Sequence, residues 1–134
     1  MMSFKNFTVG LALVLASFVG SKAWAAGLTE KEVAVGINDV YVPGGFDTSS
    51  EVYVVTNGIF PNGCYRWKRA EVNHVDSFTH EVRTIAGVSQ GMCLMVLVPF
   101  TKEVRLGKFE AGRHTLRFLN GDGTYLEKTM VVED

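Results

Sequence analysis

The chain has 134 residues, 47% of them hydrophobic and 20% charged. That is the length of one compact domain, and it is too apolar for a disordered protein. Thirteen Lys and Arg against 14 Asp and Glu give a net charge of −1, which excludes the basic footprint of a nucleic-acid binder.

In chain order, residues 1–25 read as an export signal. Lys5 supplies the positive start, Val9 to Gly20 an apolar run of 12 residues, and Ala23-Trp24-Ala25 a small-x-small site. Cleavage is expected after Ala25. The run is shorter than the roughly 20 residues that span a bilayer, and no Cys follows it to carry a lipid. A buried N-terminal helix is the alternative, but the three features stand in signal order. Without residues 1–25, a domain of residues 26–134 remains, with 11 basic and 14 acidic side chains and a net charge of −3. The expectation is an exported protein, periplasmic or extracellular. Its mature part has no membrane span, and its charge points to neither nucleic acid nor an anionic membrane surface.

The hydrophobic period of the rest is two. Val33, Val35 and Ile37 alternate, and Val40 and Val42 resume after a one-residue slip. This predicts one strand with a bulge, ended by Pro43-Gly44-Gly45. Glu51–Thr56 is a second strand, closed by Asn57-Gly58. Phe60 to Gly63 is a loop, Cys64–Val75 a third strand, Asp76-Ser77 a turn and His80–Val88 a fourth strand. Met92–Val98 is a continuous apolar run between Gly91 and Pro99, expected as a fifth strand covered on both sides. Val104–His114 reads as a corner between sheets, 113–119 as a sixth strand, Asn120–Gly123 as a hairpin turn and Tyr125–Val132 as a seventh strand. The sum is an all-β, seven-stranded antiparallel sandwich.

Cys64 and Cys93 both lie in the mature part. An even count in an oxidising compartment favours a disulfide, worth about 3–4 kcal/mol for a loop of this length. No Cys-x-x-Cys spacing or basic helix start supports a metal pair or a reactive thiol. If the strands run up and down, the third and fifth start at the same end, so the bridge staples the two sheets there.

Four stretches carry a family resemblance: Val40-Tyr-Val-Pro-Gly-Gly-Phe-Asp47, Phe60-Pro-Asn-Gly-Cys-Tyr65, Met92-Cys93 with Pro99-Phe100, and Val104-Arg-Leu-Gly107 followed by Gly112. Through them most of residues 30–132 resembles small exported bacterial immunoglobulin-like domains. The resemblance implies an immunoglobulin-like sandwich in a bacterial envelope or secreted setting, and brings no catalytic residues. Antibody domains join their second and sixth strands by disulfide; this chain departs from that pattern.

Two groups of residues are candidates for chemistry or binding. His74, Asp76 and His80 flank a predicted turn, where cross-strand Cβ atoms lie about 5 Å apart. Two imidazoles and a carboxylate there suit a transition metal, against the plainer reading of a solvated hairpin tip. His114 is on another strand, with no placement relative to them. Ser49, Ser50, Ser77 and Ser89 show no Gly-x-Ser-x-Gly setting. Glu71, Asp76 and Glu81 are available for acid–base work but suit exposed strand faces equally well. No phosphate or dinucleotide motif is present, and no cofactor is expected. The second group is Ile59, Phe60, Tyr65, Arg66 and Trp67, of types enriched at interfaces and tied down by Cys64. Core filling competes with that reading, although alternation sends Cys64 and Tyr65 to different faces unless the strand bulges. The expected function is a non-enzymatic module binding a protein or envelope component. The alternatives are a metal-binding protein or hydrolase using the histidines, and a protease inhibitor presenting residues 58–63.

Overall fold

The computed structural model describes residues 30–134; the predicted signal segment lies outside them. Eight strands form two sheets: β1 (Glu30–Val35), β2 (Asp39–Tyr41), β3 (Val52–Phe60), β4 (Tyr65–Asp76), β5 (Thr79–Ser89), β6 (Val98–Gly107), β7 (Gly112–Leu119) and β8 (Tyr125–Val132). β4 takes one edge of β5 along nearly its whole length. The other edge is shared: β1 pairs with Thr84–Ser89 and β7 with Thr79–Arg83. β8 lies outside β7, and the second sheet is β2-β3-β6.

The period-two pattern explains the core. On β3, Val52, Val54, Thr56, Gly58 and Phe60 all point inward and are buried, while Tyr53 and Ile59 face out. Val104 and Leu106 join them from β6. Val82, Leu116, Phe118, Met130 and Val132 meet them from the first sheet. No helix among the described residues is long and apolar enough to cross a membrane.

Five expectations change. The predicted first strand is two, β1 in the first sheet and β2 in the second. The apparent slip is a change of sheet at Gly36–Asn38, with Ile37 buried in the crossing. The sheets are not wholly antiparallel. β5 crosses to β6 in the second sheet and the chain returns to β7, so β5 and β7 run the same way and pair in parallel. Met92–Leu97 is no strand but an exposed loop between β5 and β6. The predicted corner at Val104–His114 shrinks to 108–111, because β6 continues to Gly107 and β7 starts at Gly112.

The fifth change has a local cause. Asn57-Gly58 does not end its strand, since β3 runs on to Phe60. Gly58 stands opposite Phe100 of β6, and a Cβ at Gly58 would run into the Phe100 ring. The missing side chain is the space that the ring fills, a known way of rescuing a glycine inside a strand. Gly58→Ala is expected to destabilise by about 1–3 kcal/mol through overpacking. Adding Phe100→Leu should recover part of that loss, which a double-mutant cycle in urea measures.

Cys64 and Cys93 are joined, with their Cα atoms 5.2 Å apart. Cys64 ends the crossing from β3 to β4, and Cys93 lies in the crossing from β5 to β6. The bridge therefore ties two crossovers at one end, as expected, although Cys93 sits in a loop rather than on a strand. Backbone bonds reinforce it: Gly63 N donates to Leu94 O (2.8 Å), and Ser89 N to Cys64 O (2.9 Å).

Candidate functional site

The two candidate groups lie at opposite ends of β5, whose 11 residues span roughly 35 Å. At the hairpin end, His74 of β4 stands opposite His80 of β5, as the spacing predicts. Their Nδ1 atoms are 2.6 Å apart. His80 Nε2 lies 2.9 Å from His114 Nδ1, and His114 Nε2 lies 2.6 Å from the Glu110 carbonyl. All three histidines of the chain thus form one hydrogen-bonded row. His80 and His114 are buried at 3% and 0% exposure, on core-facing positions of their strands, while His74 is exposed. Phe109, from the β6–β7 crossing, stacks on His80 with ring centroids 4.0 Å apart and covers His114 as well. Phe78 of the hairpin also lies against His114, with ring centroids 5.0 Å apart.

A carbonyl only accepts, so His114 Nε2 carries a proton. In the neutral row His114 Nδ1 then accepts from His80 Nε2, and His80 Nδ1 accepts from His74 Nδ1. The direction of every bond follows from that one carbonyl, and the open lone pair falls on His74 Nε2. The His80 imidazole titrates at about 4, well below its ordinary 6.5. Burial is the first cause, followed by the neighbouring His74 and His114, with Asp76 acting in the opposite sense.

Asp76 belongs to the turn: its Oδ1 accepts from the Phe78 amide at 2.8 Å, which holds the carboxyl below its usual range. The candidate metal triad of His74, Asp76 and His80 is therefore not brought together in this geometry. Two nitrogens each about 2.0–2.1 Å from an ion need a wider gap than a direct hydrogen bond leaves. Among the described residues, no group of three or more His, Cys, Asp and Glu side chains is placed to hold a metal ion. The member that sequence reasoning missed is His114. Its signal was its parity with Leu116 and Phe118, legible only once the parallel β5–β7 pairing is known. Glu71 and Glu81 line a shallow cleft with Arg83, away from Asp76.

The disulfide end is apolar. Met92, Leu94, Met95, Val96 and Leu97 are 103%, 72%, 80%, 49% and 70% exposed. Ile59 is exposed at the same end, across from Pro99. The other predicted binding residues divide. Phe60 is buried and stacks on Phe100 and Tyr65, so it fills the core. Trp67 is half-buried beneath Lys102. A bulge at Lys68 shifts the register of β4 between Trp67 and Arg69. Tyr65 and Trp67 can therefore face the same side as Ala70 and Val72. Arg66 is exposed and bonded through two nitrogens to Glu30, both at 2.7 Å. This pair arches across Gly87, where a Cβ would meet the Glu30 carboxylate. Segment 58–63 is not a free loop, since Gly58–Phe60 belong to β3.

Fold and site together define a small, disulfide-tied β-sandwich with one apolar end. The chain belongs to the ORF11 beta-sandwich domain family, whose model matches residues 54–132, from within β3 to the end of β8. The matched range contains both cysteines, all three histidines and the apolar loop. No curated protein and no solved structure matches the chain.

Proposed function

We propose that this domain is an exported, non-enzymatic binding module of a bacterial envelope, immunoglobulin-like in arrangement, whose contact surface is the disulfide-tied end. The observation that carries this reading is the run Met92, Leu94, Met95, Val96 and Leu97, exposed on a loop tied down by Cys93. Contiguous exposed apolar side chains mark interaction sites, and a covalently held loop loses less entropy on binding. The disulfide is consistent with an oxidising compartment, and the charge and apolar run of residues 1–25 support export. The histidine row is read as structural: its rings bond to one another, and Phe109 closes over them.

Cell fractionation tests the reading. The unaltered protein is expected to fractionate with the envelope, and a Leu94→Asp, Met95→Asp variant to move to the soluble fraction with an unchanged melting temperature. Equal partitioning of the two proteins would contradict the assignment.

A further inference from the structure

We infer that Met92 and Met95 form an oxidation site at the disulfide-tied end: hydroperoxides convert their thioethers to sulfoxides, and this weakens the contact surface. The inference rests on the proposed binding role of that end and names its regulation.

Residues 26–134 hold three methionines, Met92, Met95 and Met130. They divide by environment. Met92 and Met95 are 103% and 80% exposed, whereas Met130 is 7% exposed and packed in the core. Oxidation needs the oxidant's oxygen to reach the sulfur, so accessibility separates two of the three from the last. Thiols do not compete for the oxidant. Cys64 and Cys93 are joined, and no free cysteine remains among the described residues. The rings of this end give the two thioethers no cover, since Phe60 stacks on Tyr65 and Phe100. Nor does packing explain the choice of residue. Methionine serves a core by filling irregular gaps, and a side chain as exposed as Met92 fills none.

The step balances with a hydroperoxide as its one co-reactant. A sulfur lone pair attacks a peroxide oxygen, an S–O bond forms and the O–O bond breaks. The proton on the transferred oxygen moves to the departing one, which leaves as water when the oxidant is hydrogen peroxide. Sulfur loses two electrons and the peroxide gains them.

The product is polar and accepts hydrogen bonds from water. Burying it against an apolar partner strands that acceptor. The fold itself is spared. Its core sulfur is shielded, and the loop stays tied by Cys93 and by the Gly63–Leu94 backbone bond. Oxidation therefore acts on binding and not on stability.

The test has two readouts on the protein as cells produce it. Peptide mass spectrometry follows treatment with hydrogen peroxide. Met92 and Met95 should each gain one oxygen at least about tenfold faster than Met130, with the melting temperature unchanged. The peroxide is then removed and the protein returned to untreated envelope. Its bound fraction should fall about tenfold. In Met92→Leu, Met95→Leu the bound fraction should not respond to peroxide, whatever its starting level. Equal oxidation of all three methionines, or none at Met92 and Met95, would overturn the site. So would a peroxide response that persists in Met92→Leu, Met95→Leu. If both methionines oxidise and binding is unmoved, while Leu94→Asp, Met95→Asp still leaves the envelope, the regulation is wrong and the binding role stands. If that double substitution also leaves envelope binding unmoved, the binding role falls with it.

Discussion

Lowering the pH from 7 to 4 is expected to cost the fold about 3 kcal/mol, chiefly through one side chain. His80 titrates near 6.5 in the unfolded chain and at about 4 in the fold. Between those values the unfolded chain holds a proton that the native protein does not. Stability is therefore full above about pH 6.5, falls with pH and levels off below about 4. The gap between the two values sets the size of the effect. Geometry gives the same answer. In the neutral row His80 Nδ1 accepts from His74 Nδ1, so a proton added to His80 Nδ1 sets two N–H groups against each other at the 2.6 Å contact. Glu30, Glu32, Asp47, Asp76 and Asp122 are held below their ordinary values. Their contributions are lost at lower pH, as those carboxylates protonate. Urea midpoints at pH 7, 5.5 and 4.5 measure the slope. His80→Phe keeps a ring beneath Phe109 and removes the titration, so its slope should be nearly flat. An unchanged slope in that variant would remove the histidine row from the account.

Opening the disulfide is expected to have a comparable effect by a different route. Cys64 and Cys93 are 29 residues apart in sequence, and closing such a loop restricts the unfolded chain by about 3–4 kcal/mol. A domain of this size has roughly 5–15 kcal/mol of stability in all. The Cys64→Ser, Cys93→Ser variant should therefore melt roughly 15–25 °C lower. Its loss should add to that of His80→Phe, because the two sites share no partner and lie at opposite ends of β5. Thermal melts of the single, paired and combined variants check this. A combined loss well short of the sum would show that the two ends are coupled. Loop 90–97 should also exchange its amide hydrogens faster once the tie is gone, since its remaining anchor is the Gly63–Leu94 backbone bond.

Local alternation made most of the strands legible, and His74 and His80 took their predicted places because a hairpin register depends on neighbouring residues. Failures came where the outcome depends on a distant part of the chain. Gly58 looks like a turn residue until Phe100 is known to lie across it. The slip between Ile37 and Val40 looks like a bulge until the two halves are known to pair with different strands. His114 could not be joined to His80 without the parallel β5–β7 pairing, which no periodicity reports. Phe60 drew attention as a binding residue by its type, and its burial follows from the strand running on past Asn57. Met92–Val98 has the composition of a buried strand, and the fold leaves most of it uncovered. A pattern that asks for burial and does not find it among the described residues points to a surface beyond them.

Site-specific photocrosslinking in the intact envelope locates that surface. A crosslinker at Met95 should give an adduct, to lipid or to protein. The same group at Ser77, exposed on the β4–β5 turn at the opposite end, should give none. Adducts at Ser77 with none at Met95 would place the working surface at the histidine end and contradict the account.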